Sequence, residues 1–392
     1  MPALIPLPGW VRSHTFRARL PVFLIGLTLI VRVAFCVSPP SDTSDLYRHL
    51  GFTSHWWENP ADFYHRVPTD FGEEFWTRFW GEMGYIYPPL ALLFFAPLGS
   101  LGVGLVWVKM ILTIFDLLSA CLIGRTLSWW AGLLLFSAPV SVWYTSHEGQ
   151  YESLVTLLLV LSILSARRGR WIVCGSFFQL ALQTKQLALF AAPYFLWEIF
   201  QRTSDLRRKA FTRFAAGWFV TLLPFLPFYH WRHDLWLLPL VNQGNVLNSY
   251  YWPAFWTFTG MEHFDGVSRL RISWNEAVSL ISLVVLLAFV VRGSLMRRLP
   301  QALPSIGFWS AIKSMSWVMN WYVLLLPGLN LCLWRHRRWF LLLCVLYWFQ
   351  CGQEVAGFFG DDDPEAGSSQ IRFRECLWHA DYRMKASPEQ AP

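Results

Sequence analysis

The sequence predicts an all-α polytopic membrane protein of about ten or eleven transmembrane helices with a large helical first extracytoplasmic loop. Three observations carry that prediction. Hydrophobic residues make up 55% of the 392-residue chain and charged residues 15%, whereas a soluble domain needs about 25% charged residues to cover its surface. Mean hydropathy is +0.36. The cations gather in short clusters between apolar runs, Arg167-Arg168-Gly169-Arg170, Arg207-Arg208-Lys209 and Arg335-His336-Arg337-Arg338, which is how cytoplasmic loops are marked. The net charge of +7 therefore encodes topology, and nucleic acid is not an expected partner. The 24 tryptophans need no ligand, because belts at the membrane interface use them.

The elements follow in order. Arg12, Arg17 and Arg19 precede the apolar stretch Leu20 to Val37, which reads as a retained signal anchor, because Phe35 is too bulky for a cleavage site before Cys36. Residues 1–19 are then cytoplasmic and residue 39 onward outside. Residues 39–87 mix acids with aromatics, as in His55-Trp56-Trp57 and Phe75-Trp76-Thr77-Arg78-Phe79-Trp80, and predict an external loop whose helices lie at headgroup level with carboxylates in water. Pro89 to Leu98 is too short to span and reads as re-entrant, since about 20 residues are needed. Val103 to Gly124 spans inward to Arg125, Trp129 to Trp143 outward, and Ser153 to Ala166 inward. Trp171 to Phe200 reads as two spans with a tight bend at Gln183-Thr184-Lys185-Gln186, ahead of an internal basic loop, Arg202 to Arg213.

Phe214 to Tyr229 leads out to a second external loop, 230–274, and Asn275 to Val291 returns. Residues 302–334 form a further pair bent near Lys313-Ser314-Met315, and Trp339 to Cys351 a last span. These readings divide the chain into a catalytic transmembrane module, 20–213, and a variable transmembrane region, 214–351. The polar tail, 352–392, is low in apolar content and expected to be disordered. The seven cysteines are scattered, mostly inside apolar runs, without metal-ligand spacing. No internal repeat of the transporter kind is evident.

Sorting the polar residues by this topology gathers the acids and amides on the external side. Asp42 and Asp45 follow the first span, Glu148, Gln150 and Glu152 end the third, and Lys185 with Gln186 and Lys313 occupy bends. A carboxylate at a membrane-level cleft can take a proton from a nucleophile or hold a metal, and a lysine beside it can neutralise a phosphate. A phosphorylated lipid is the ligand that such a set suggests. Lys109 and Asp116, seven residues apart on one helical face, are expected either to serve function or to neutralise each other.

Four motifs resemble the GT-C superfamily of integral membrane glycosyltransferases, above all the polyprenol-phosphate-mannose-dependent mannosyltransferases. They are Ser44-Asp45-Leu46-Tyr47, Tyr87-Pro88-Pro89-Leu90, Gly149-Gln150-Tyr151-Glu152-Ser153, and Lys185-Gln186 before a proline-ended apolar run. The resemblance covers the first half of the chain, up to Pro193. It implies transfer of a sugar, mannose by the nearest likeness, from a polyprenyl-phosphate donor to a hydroxyl of a glycan, lipid or protein acceptor on the extracytoplasmic face. On this likeness Asp45 is the general base or acceptor orienter, and Lys185 meets the donor phosphate, with Lys313 as a second phosphate contact; Arg32, near the outer end of the first span, is a further phosphate candidate by its position. Asp42, Glu148, Gln150 and Glu152 are acceptor or metal candidates, a divalent metal being the one cofactor considered. Relatives carry aspartate where this chain has Glu152. The region Lys313-Ser314-Met315 to Asn320-Trp321-Tyr322 is similar to a Lys-His-Arg-Tyr stretch of related enzymes but lacks the histidine and arginine.

Each signal has a plainer reading beside it. Asp45 also suits the start of an interfacial helix, Glu148 a solvated loop, and Arg32 a side chain snorkelling to headgroups. A transporter or flippase and a non-catalytic membrane scaffold are the rival functions; no G-x-G-x-x-G follows a strand, so a nucleotide-sugar donor is disfavoured. The external loops contain no Asn-x-Ser/Thr sequon, which favours a bacterial plasma membrane over the endoplasmic reticulum.

Overall fold

The computed structural model describes residues 14–40, 44–67, 70, 84–235, 274–314 and 320–350. Among them there is no strand. The helices are α1 (His14–Val37), α2 (Asp45–Ser54), α3 (Pro89–Ser100), α4 (Leu105–Thr126), α5 (Trp129–Phe136), α6 (Glu152–Arg167), α7 (Trp171–Thr184), α8 (Ala192–Phe200), α9 (Ser204–Leu222), α10 (Leu226–Trp231), α11 (Trp274–Val291), α12 (Leu295–Ser314), α13 (Leu326–Asn330) and α14 (Arg337–Trp348), joined in places by 3₁₀ or π turns.

Uninterrupted helices supply fewer spans than hydropathy alone suggests. Among the described residues three stretches are long and apolar enough to cross a membrane: Arg19–Val37, Leu105–Thr126 and Ser204–Trp231. Pro139–His147 and Glu152–Arg167 make a fourth if read as one span bent by 118°. Pro89–Ser100, Gln186–Phe200, Val278–Val291 and Tyr322–Leu333 are apolar but shorter. Continuous helices among the described residues therefore do not by themselves supply the expected ten or eleven spans. A hydropathy window counts apolar residues, whereas a span also needs an unbroken hydrogen-bond ladder, and this chain interrupts its ladder repeatedly. The expected span Trp129 to Trp143 ends at Phe136, re-forms after Pro139 and closes in a π turn, Val142–His147.

One further expectation changes. The basic stretch Arg202 to Arg213, read as a loop, lies almost wholly in α9, with Asp205 in the first turn. Arginine, lysine and alanine are good helix formers, so the apolar segment extends its helix outward through the charges. Position 213/214 lies within that helix, and one hydrophobic cluster draws residues from Ile123 to Tyr347. By contrast, the bend expected at Gln183 to Gln186 is where α7 ends and a 3₁₀ segment, Gln186–Ala191, begins.

The described part of the 39–87 segment packs against the helices. Phe52, Phe63, Tyr64 and Tyr85 form a buried cluster with Leu92 and Ala96 of α3, and all but one residue of α2 are buried. Phe52, Phe63, Tyr64 and Tyr85 thus build protein core, while the Phe75 to Trp80 run, on which the headgroup-level expectation also rested, lies outside the described residues. α2 lies directly on α3, and a Cβ at Gly99 would run into the backbone carbonyl of Leu50; only glycine permits that approach.

Candidate functional site

The site begins where α2 begins. Ser44 caps the helix: its Oγ accepts from the Leu46 amide at 3.2 Å and donates to the Glu148 carbonyl at 2.7 Å. One hydroxyl therefore fixes the start of α2 against the 148–152 segment, 104 residues away. That segment turns at Gly149, whose φ of +72° suits glycine. A Cβ at Gly149 would stand 2.5 Å from Leu46 Cδ2 and 3.2 Å from Lys109 Cγ. The turn reverses the chain between the π turn and α6, and brings Gln150, Tyr151 and Glu152 under α2.

Asp45 follows the cap and is 4% exposed. Its Oδ2 accepts from the Tyr87 hydroxyl at 3.4 Å; its Oδ1 is buried without a hydrogen-bond partner. Burial raises the Asp45 carboxyl to about 6, against the opposing charges of Arg48 and Lys185, while Glu152 raises it further. Arg48, one turn on, donates to the Gly84 carbonyl at 3.0 Å and stands 5.4 Å from the centre of the Tyr87 ring.

His49 lies four residues after Asp45, on the same helical face. Its ring stacks on Phe95 at 4.5 Å, shares a hydrogen bond between Nδ1 and the Tyr85 hydroxyl at 3.2 Å, and meets Tyr151 edge-on at 4.9 Å. Nε2 is buried without a partner. Burial first, then the charges of Arg48 and Lys185, keeps His49 neutral.

On the other wall Lys185 Nζ pairs with Glu152 Oε1. Both are buried, and the ammonium lies 4.1 Å from the centre of the Tyr322 ring and 5.2 Å from that of Tyr151. Glu152 Oε2, Gln150 Oε1 and the Tyr151 hydroxyl are buried and unsatisfied. Together with Asp45 Oδ1 and His49 Nε2 they form an unusual concentration of polar atoms awaiting a partner, since most buried polar groups have one. Hydroxyl groups of a sugar would satisfy them.

The site residues read from sequence thus fall into groups. Asp45, Glu152 and Lys185 converge, and Gln150 is buried in the turn just before Glu152. Glu148 contributes its carbonyl to Ser44, while its carboxylate meets His147 Nδ1 at 2.9 Å. Arg32 is engaged elsewhere: it pairs with Asp116 Oδ2 at 3.0 Å and donates to the Phe136 carbonyl, Ser141 and Ser146. Asp116 therefore pairs with Arg32 and not with Lys109, which donates to the Ser38 carbonyl. Asp42 and the side chain of Lys313 lie outside the described residues. Among the described residues no three His, Cys, Asp or Glu side chains gather as a metal site. Sequence reasoning missed Arg48, His49 and the part of Tyr322 over Lys185; the spacing of Asp45 to His49 along one helix was the available signal for His49.

A family model of the glycosyltransferases, family 87, matches residues 85–340, well over half of the chain. The chain belongs to glycosyltransferase family 87. No match was found among curated proteins or solved structures. For this family-87 membrane glycosyltransferase, the matched stretch includes Tyr87, Glu152, Lys185 and Tyr322 and begins downstream of Asp45. The family implies a sugar donor and an acceptor, so the unsatisfied polar atoms have a chemically suitable occupant.

The site also has a definite position along the helices. Gly149 abuts Lys109 in the first turns of α4, and Arg125 lies sixteen residues on, about 24 Å along the helix axis. Glu152 opens α6 and Arg167 ends it. The candidate site and the Arg125 and Arg167 cluster therefore occupy opposite ends of the same helices.

Proposed function

We propose that this protein transfers a sugar, mannose by the motif likeness, from a polyprenyl-phosphate donor to an acceptor hydroxyl on the extracytoplasmic face, as a GT-C-type enzyme. The observation that carries the reading is Asp45, a buried carboxylate with one oxygen oriented by Tyr87 and the other unsatisfied. Its value near 6 leaves it ionised at neutral pH yet basic enough to accept a proton, the poise that general-base catalysis favours.

Asp45 takes the proton of the acceptor hydroxyl as that oxygen bonds to the anomeric carbon, and the bond from that carbon to the phosphate oxygen breaks. The phosphate leaves with one more negative charge than it had as a diester. Asp45 and Glu152 are acids and Arg48 and Lys185 bases, two formal charges of each sign. Proton transfer to Asp45 leaves the set with one positive charge in excess, which offsets the charge gained by the phosphate. Lys185 supplies that stabilisation in surroundings where water does not weaken it. Glu152 Oε2, Gln150 Oε1 and His49 Nε2 are suited to hydrogen bonds with sugar hydroxyls, and Tyr151 and Tyr322 to packing on a pyranose face.

The test is sugar transfer from synthetic polyprenyl-phosphate mannose, wild type against Asp45→Asn, with purified protein in lipid nanodiscs. Loss of transfer with retained folding is expected. Full activity in the variant would overturn the role of Asp45, and no transfer by wild type from any polyprenyl-phosphate sugar would overturn the donor class.

A further inference from the structure

At the opposite end of α4 and α6 lies a cavity of about 670 Å³ lined by Leu122, Arg125, Thr126, Leu164, Arg167 and Arg168. Its walls are the last turn of α4 and the last turn and cap of α6. It is remote from Asp45, by about the length of a span, and nothing in the proposed transfer uses it.

Cations at helix C-termini often do no more than offset the helix dipole, and the charges here exceed that need. Two C-termini carry about half a negative charge each, so three guanidiniums leave a surplus of about two positive charges. Among the described residues none of the three is in an ion pair with a carboxylate. Arg335 nearby shows the alternative: it stands over Trp334, as Arg167 does, yet it pairs with Glu198 at 2.9 Å. Arg167 is exposed, as are Arg125 and Arg168; its guanidinium lies 4.4 Å from the centre of the Trp334 ring and 3.5 Å from the Thr126 carbonyl. The cavity thus presents three guanidiniums, one of them over an aromatic ring, beside Leu122 and Leu164.

We propose that this cavity binds a phosphate-bearing anion, with Arg125, Arg167 and Arg168 as its ligands. Guanidinium groups match phosphate oxygens in geometry as well as charge. The source is either the headgroup of an anionic phospholipid or a free phosphate. The end of the span Leu105–Thr126 sits at the depth of lipid headgroups, and the leucines suit the start of an acyl chain.

Native mass spectrometry of the full chain, delipidated and then exposed to phosphatidylglycerol or phosphatidylcholine, tests the proposal. Thermal shift with millimolar inorganic phosphate tests the free anion. The variants are Arg125→Gln/Arg168→Gln, which spares the structural contacts of Arg167, and Arg208→Gln/Arg213→Gln, which removes equal charge from exposed positions on α9. The expected result is retention of phosphatidylglycerol over phosphatidylcholine, or stabilisation by phosphate, that falls by about tenfold or more in the cavity variant only. The first outcome assigns a lipid headgroup and the second a free phosphate. Equal binding by wild type and both variants, or no binding of either anion, would overturn the site. The readout is binding, so it stands or falls apart from the transfer reaction.

Discussion

Replacing Asp45 with asparagine should make the protein more stable while disabling it. The folded protein holds this buried carboxyl near 6 instead of 3.8. That difference corresponds to about 3 kcal/mol of unfavourable free energy at neutral pH. An acid raised in this way binds more protons folded than unfolded, so wild-type stability falls as pH rises from about 4 to about 6 and is level above. Asparagine has the same shape and no charge to desolvate. The variant should therefore lack that slope and, at pH 7, gain up to about 3 kcal/mol over wild type. Transfer should drop by about 10² to 10⁴, the range of general-base contributions. Wild-type activity should rise with pH through a limb near 6 that the variant lacks. Thermal unfolding in one detergent at pH 4, 5, 6 and 7, run beside the transfer assay, measures both effects. A variant less stable than wild type at pH 7, or one that keeps its transfer rate, would refute the reasoning.

Three further outcomes follow from the geometry. Lys185→Met should raise the apparent KM for the donor by about tenfold and, by leaving Glu152 buried and unpaired, cost about 3–5 kcal/mol of stability. Adding Glu152→Gln should restore the stability but not the donor KM, and a normal donor KM in that double variant would remove Lys185 from the phosphate. Arg32→Lys should lower stability by about 2 kcal/mol through loss of its multiple bonds to Phe136, Ser141, Ser146 and Asp116 with the donor KM unchanged; a raised KM at unchanged stability would return Arg32 to the donor site. Gly149→Ala should cost about 2–4 kcal/mol, from a positive φ and the push against Leu46, and should depress transfer because Leu46 adjoins Asp45. Wild-type activity in that variant would show that the turn does not position α2.

The class of this protein and the ends to which its charges go are readable from the chain alone, because both depend on local properties. Apolar run length and cation placement answer to the membrane directly, and the Gly149 to Glu152 motif, the bend at Lys185 and Asp45 beside a capping serine are all local patterns. Hydropathy windows do not register a helix broken at Pro139, Gly149 or Lys185, so continuous helices among the described residues are fewer than the apolar runs. Which charges neutralise each other was settled by packing. Lys109 and Asp116 share a face of one helix, yet Asp116 meets Arg32 across 84 residues, and Lys185 meets Glu152 across 33. Buried charges take the partner that the helix contacts bring within reach, and no periodicity along the chain encodes that choice. His49 and Tyr322 joined the site for the same reason, one carried inward by the packing of α2 on α3 and the other brought from the far half of the chain.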